Sequence, residues 1–207
     1  MISTLGIAVL VALSISVNPV FAHHVMGGAM PVTFADGLLS GLGHPVIGLD
    51  HLVAVVAVGC LAATQRRGEW LVLGYVIAMM VGAAAHIGET TVNGAEIFVA
   101  ASVVVLGVVL FRKAPPRLDI AIALFAFAGL VHGYALGESI SGAERAPLYA
   151  YFLGLAAIQA AIALAVMYGA RILAARATGH AAIIRVLGGV VAGVGLAILA
   201  QQFMQAA

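Results

Sequence analysis

His44-Pro45-Val46-Ile47-Gly48-Leu49-Asp50-His51-Leu52-Val53-Ala54-Val55-Val56-Ala57-Val58-Gly59-Cys60-Leu61-Ala62-Ala63, closed shortly afterwards by Arg66-Arg67, decides how the rest of the chain is read. From Pro45 to Ala63 the run is apolar except for Asp50 and His51 near its start. A helix on the surface of a soluble domain shows polar residues at a period near 3.6, and from Leu52 to Ala63 there are none. The run matches the roughly 17–25 apolar residues that cross a bilayer. Its two arginines sit where short cytoplasmic loops collect positive charge. It reads as a transmembrane helix with an outer, histidine-bearing start and an inner, basic finish.

The composition extends this reading to the whole chain. Of 207 residues, 64% are hydrophobic and only 8% charged, against about 25% charged in an ordinary soluble domain. A net charge of +1 argues against a nucleic-acid partner. The single cysteine, Cys60, excludes an internal disulfide and a thiolate-rich metal site. Five further apolar runs follow the first, near Trp70–Gly88, Glu96–Phe111, Leu118–Gly137, Leu148–Ala170 and Ala182–Phe203. The expected fold is all-α, a polytopic transmembrane bundle of about six helices. Thr33–Leu42 is too short to span and is expected as an interfacial helix or an extension of the first span. Pro45 suits the first turn of that span.

Residues 1–22 read as a cleaved signal peptide, with an apolar stretch ending in Val20-Phe21-Ala22. Residues 23–207 then form one transmembrane domain. Eight of the nine Lys and Arg residues lie in alternate loops, at Arg66, Arg67, Arg112, Lys113, Arg117, Arg171, Arg176 and Arg185, leaving only Arg145 opposite. That side is expected to be cytoplasmic. Both mature termini then lie on the periplasmic side of an inner (plasma) membrane. A weak internal repeat accompanies this order: His86 with Gly88-Glu89-Thr90, and His132 with Gly137-Glu138-Ser139, place spans two and three as a parallel echo of spans four and five.

Six of the seven histidines then fall at the outer face or in the outer half of a span, with only His180 on the basic side. Six of the eight acids join them, the exceptions being Glu69 and Asp119. Ionisable groups at membrane depth are costly and mark function. If the first helix is continuous, His44 and His51 share one face about two turns, on the order of 10 Å, apart. Asp50 can ligate a cation or orient an imidazole. His86 and Glu89, three apart, share a face if helical, whereas His132 and Glu138, six apart, do not. His23 and His24 add two imidazoles and a free amine to the mature N-terminus. Thr64, Ser102 and Gln159 are the few polar residues expected in the inner half. Imidazole with carboxylate and no thiolate cluster suits nickel, cobalt, zinc or copper, whereas magnesium and calcium prefer all-oxygen shells. The expected ligands are His44, Asp50, His51, His86, Glu89, His132, Glu138, His23 and His24.

These residues resemble a known family. His44-Pro45-Val46-Ile47-Gly48-Leu49-Asp50-His51 followed by Val58-Gly59 is similar to the signature of the HupE/UreJ membrane proteins. Ala22-His23-His24-Val25-Met26-Gly27-Gly28, Gly41-Leu42-Gly43 and His132-Gly133-Tyr134-Ala135-Leu136-Gly137-Glu138 also look like that family. The resemblance covers most of the mature chain. It implies a signal peptide, a small polytopic helical protein, and secondary transport of nickel or cobalt for hydrogenase or urease maturation. By that resemblance His44, Asp50 and His51 are the foremost site residues, followed by His132 and Glu138. One departure is the Leu-Val-Ala-Val-Val after His51, where the family pattern often carries a methionine.

The function expected is uptake of a divalent transition metal ion, Ni2+ foremost and Co2+, Cu2+ or Zn2+ as alternatives, with imidazole protonation near neutral pH releasing the ion. The alternative is an outer-face metal-binding or assembly subunit of a larger membrane complex, without transport. A haem or quinone protein is a third reading, which an absorbance band would reveal. No enzymatic role is expected: the chain has neither H-E-x-x-H nor G-x-S-x-G. The expected partners are the metal ion, the lipid bilayer, and a second copy of the chain or a membrane complex.

Overall fold

The computed structural model describes residues 29–177 and 179–206. The expected signal peptide and His23-His24 lie outside the described residues. Among those described, seven α-helices and no strand are found: α1 Phe34–Ile47, α2 Leu49–Ala63, α3 Gly68–Ile87, α4 Ala95–Phe111, α5 Leu118–Glu138, α6 Arg145–Arg176 and α7 His180–Ala206. The chain is a multi-pass, all-helical membrane protein.

Four helices, α3, α5, α6 and α7, are each long and apolar enough to cross a bilayer. The pair α1 and α2, bent by 78°, passes the same test only when its two helices are taken together, as a broken span or a re-entrant loop. The remaining apolar segment, α4, is shorter, with 17 residues, at the lower bound for a crossing.

The expected first span therefore needs correction. It is not one helix starting at Pro45. Helix α1 starts eleven positions earlier with a capping box, in which the Asp36 amide donates to Thr33 Oγ1 (3.1 Å) and the Thr33 amide donates to Asp36 Oδ2 (3.0 Å). Pro45 lies near the end of α1. There its missing N–H deprives an upstream carbonyl of a helical partner. Three residues on, Gly48 turns extended (φ −72°, ψ 107°) and ends the helix. The segment from Thr33 is thus part of a helix of its own, 14 residues long, that leads through Gly48 into α2.

The bundle is apolar on its outer surface as well as in its core. On α3, Trp70, Leu73, Ile77 and Val81 form an exposed apolar stripe at helical spacing, as a lipid-facing surface requires. Ser40, His44, Asp50, His51, Ser102, His132 and Gln159 are all buried. Lipid tails are as apolar as leucine, so packing between spans relies on close backbone approach at small residues. Helices α3 and α5 run parallel, with Gly129 against Tyr75, Gly133 against Met79 and Gly137 against Ala83. A methyl at Gly133 would collide with the Met79 backbone carbonyl. Helices α4 and α7 run antiparallel, with Gly107 against Ala192 and Gly188 against Leu110 and Phe111. Helix α6 runs parallel to the broken span, along α1 through Gly41 against Tyr151 and along α2 through Gly59 against Ala163.

These registers give the bundle two ends. The starts of α1, α2, α4 and α6 and the finishes of α3 and α5 share the histidine end, and Arg66, Arg67, Arg112, Lys113, Arg117, Arg171, Arg176 and Arg185 share the basic end. Helices α3 and α5, which carry His86 and His132 of the two motifs, pack side by side. The halves diverge afterwards: α4 has 17 residues and α6 has 32.

Candidate metal site in the broken span

The break at Gly48 builds the site. Its amide still donates to the His44 carbonyl (3.0 Å), and its own carbonyl accepts from the Leu52 amide (2.9 Å). Two helices are thus joined through one extended residue, with His44 in the last turn of α1 and Asp50 and His51 in the first turn of α2. Space, not left-handed φ, demands glycine here. A Cβ on Gly48 would lie 2.8 Å from His51 Cδ2 and 3.1 Å from Asp50 Oδ1. Asp50 stands in the first turn of α2, the end of a helix that favours a carboxylate. The bend corrects the sequence expectation for His44 and His51: they do not share the face of one helix. It nevertheless brings their rings to 6.0 Å between centroids in an edge-on arrangement.

The third imidazole comes from α5. His51 Nδ1 and His132 Nδ1 are 2.7 Å apart, so one ring donates its proton and the other accepts. The opposite nitrogen of His132, Nε2, meets Ser102 Oγ at 2.9 Å, and that hydroxyl donates to the Val99 carbonyl (2.8 Å). Asp50 Oδ2 stands 3.8 Å from His51 Nε2. On the other side, Tyr151 Oη lies 3.5 Å from His44 Nδ1 and donates to the Leu136 carbonyl at 2.7 Å. His44, His51 and His132 are 1% exposed or less. His132 lies six residues from the end of α5, so the cluster sits about 9 Å inside the bundle from the histidine end.

The expected ligands fall into three groups. His44, Asp50, His51 and His132 converge. His86, Glu89 and Glu138 stay apart at the mouth. His86 packs its ring on Tyr134 at 4.6 Å. Helix α3 ends at Ile87, and Glu89 takes a positive φ of 60°, so the expected shared face of His86 and Glu89 is lost. Glu138 closes α5 exposed while His132 is buried, as their six-residue spacing predicts. His23 and His24 lie outside the described residues. Among the described residues no three His, Cys, Asp or Glu side chains stand ready around one ion.

Several participants escaped the sequence. Ser102 was expected in the inner half. It sits seven residues from the start of α4, about 10 Å in, and holds His132. Tyr151 and Tyr75 were not singled out. Tyr151 and Gln159 are eight apart on α6, a spacing of two turns that marks one buried face. Tyr75 and Gln159 are fully buried, and neither the Tyr75 hydroxyl nor either polar atom of the Gln159 amide meets a hydrogen-bond partner among the described residues. Such orphans are rare in folded proteins. The Tyr75 backbone packs on Gly129, three residues inward of His132, and Gln159 is about 12 Å beyond Tyr151 along α6.

The two ring nitrogens face each other along their hydrogen bond, so an ion bound at about 2.0–2.1 Å from each requires the rings to separate or turn. An ion between them would displace the shared proton.

Comparison with known proteins bears on this arrangement. The chain matches the family described as HupE / UreJ protein over residues 11–198. It is similar to Protein HupE of Rhizobium leguminosarum bv. viciae, 32% identical over 186 residues, covering 87% of this chain and 91% of that one. No solved structure matches.

Proposed function

The chain belongs to the HupE / UreJ family, and from that premise we propose that it is a secondary permease carrying a divalent transition metal ion, Ni2+ foremost, inward across the inner (plasma) membrane. One observation carries the proposal. Three helices bring His44, Asp50, His51 and His132 into one buried cluster centred on His51, where α1 breaks into α2. Discontinuous helices at membrane depth are tolerated where they line a substrate site. Isolated buried imidazoles are commonly helix-to-helix hydrogen bonders. Three together with a carboxylate beside a helix break exceed what packing needs.

In this reading His23 and His24 gather the ion at the periplasmic mouth, with His86, Glu89 and Glu138 around it. The ion then reaches His44, Asp50, His51 and His132. Ser102 and Tyr151 hold two of the rings in place. The orphan polar groups of Tyr75 and Gln159 offer the next oxygen and nitrogen donors inward. The basic end faces the cytoplasm, and both termini of the mature chain are periplasmic.

The test pairs binding with uptake. Protein purified in detergent without chelator is assayed for bound metal beside a His44→Ala/Asp50→Ala/His51→Ala variant, and cells expressing each are assayed for Ni2+ uptake. A transition metal bound by the native protein and lost in the variant, together with uptake lost in the variant, is the expected result. Equal uptake by the two would end the proposal.

The second reading is an outer-face metal-binding or assembly subunit of a larger membrane complex. It is favoured by the thinning of polar side chains below the cluster to Tyr75 and Gln159 within an apolar core. Stoichiometric metal binding with no uptake under any energised condition would select it.

A further inference from the structure

At the basic end, between α2, α4, α6 and α7, lies a cavity of about 490 Å³ that the transport reading does not use. Its rim carries Arg112, Lys113, Arg171 and Arg185, and no acidic residue lines it. Arg171 is committed elsewhere: it pairs with Glu69 and donates to the Gln65 carbonyl (3.0 Å). Among the described residues Arg112, Lys113 and Arg185 have no ion-pair partner. The remaining acid on this side, Asp119, is bound to Arg117 at 3.0 Å. The first turn of α7, with His180 and Ala181, also lines the cavity, which adds the positive end of a 27-residue helix. Leu61, Val109 and Ile184 make the inner wall apolar.

Positive charge on short loops follows from topology alone. Topology does not require three unpaired cations, a helix N-terminus and an apolar wall to surround one cavity. We propose that this cavity binds a phosphoryl anion, supplied either by the headgroup of an anionic phospholipid in the adjoining leaflet or by a free phosphate. Arg112, Lys113 and Arg185 take the phosphoryl oxygens, Arginine being suited to bidentate contact. The apolar wall accepts the glycerol and upper acyl carbons when the source is a lipid. Basic pockets between spans on the cytoplasmic side recognise lipid headgroups by this chemistry.

The experiment uses the full-length protein in a maltoside detergent, stripped of lipid. Native mass spectrometry then reads its affinity for phosphatidylglycerol, for phosphatidylcholine of the same chain length, and, separately, for inorganic pyrophosphate. The variants are Arg185→Gln, Arg112→Gln/Lys113→Gln/Arg185→Gln, and Arg66→Gln/Arg67→Gln as a control that removes charge from the same side but outside the cavity. Phosphatidylglycerol is expected to bind more tightly than phosphatidylcholine. Each charge removed from the cavity should weaken it about fivefold, while the control stays near the native value. Phosphatidylglycerol without pyrophosphate identifies the lipid source, and pyrophosphate binding with the same variant dependence identifies a free phosphate; both support the site. Equal weakening by the control, or no preference for phosphatidylglycerol with no pyrophosphate binding, overturns it. Should the triple variant fail to give a helical, monodisperse protein, Arg185→Gln alone decides.

Discussion

The two ends of the bundle handle ionisable residues in opposite ways. At the histidine end His44, His51 and His132 are almost wholly buried, and His51 stands against each of the other two. At the basic end Arg112, Lys113, Arg171 and Arg185 stand around a cavity. The difference follows from the side chains. An imidazole can sit neutral in a low-dielectric interior by sharing a proton with a neighbour. An arginine never sheds its charge, so it stays where water or a headgroup can reach it. For a cation moving inward the two regions also have opposite signs. The first attracts through lone pairs and the Asp50 carboxylate; the second repels unless an anion neutralises it.

The contrast can be broken most severely at the imidazole pair. His132→Ala removes a proposed ligand and the partner of both His51 and Ser102, and metal uptake is expected to fall to background, a loss of about a hundredfold or more. Radioactive nickel accumulation in cells reads it, with surface expression measured in parallel. Uptake within a factor of two of native would place the transport path away from this cluster.

Support for the ring comes next. Ser102→Ala leaves the ligand set intact but frees His132 Nε2, and metal affinity should drop between about tenfold and a hundredfold. Isothermal titration on purified protein checks this, and an unchanged affinity would make the Ser102 hydroxyl a mere packing group.

Gly48→Ala probes the break itself. The added methyl would press on His51 Cδ2 at 2.8 Å and Asp50 Oδ1 at 3.1 Å, forcing both side chains to move. An affinity loss of about tenfold is expected. Gly74→Ala, where nothing lies within 4 Å of the added methyl, should leave affinity unchanged. Equal effects from the two glycines would show that the break does not position the ligands.

The smallest effect sharpens the comparison from the other end. Raising ionic strength from about 0.05 to 0.5 M screens exposed charges and spares buried ones. Binding of a phosphoryl anion at the basic end should weaken severalfold, while metal binding at the histidine cluster changes little. Parallel salt titrations of the two ligands check this, and a steeper salt dependence for the metal would reverse the assignment of buried and exposed sites.

How much of this was legible before the fold was known depended on the reach of each signal. The lipid-crossing runs are local, and their boundaries read from hydropathy agree with α3, α4 and α5 to within a few residues. The break in the first span was visible only as Pro45 and Gly48, which a continuous helix starting at Pro45 would also accommodate. Ser102 looked like an inner-half residue because distance along the chain says nothing about which neighbour a hydroxyl will meet.

By itself, the sequence determined that this is a membrane-embedded helical protein, which way its charges divide, and which residue types can take a borderline metal. Those follow from composition and from periodicity along one segment, where the bilayer sets a single length scale. Only the tertiary structure decided that His51 meets His132 across 81 positions, that His86, Glu89 and Glu138 stay at the mouth, and that Arg112, Lys113 and Arg185 ring one cavity. Those contacts arise from glycine-mediated approach between helices distant in the chain. Their register is fixed by interlocking surfaces that no single segment carries.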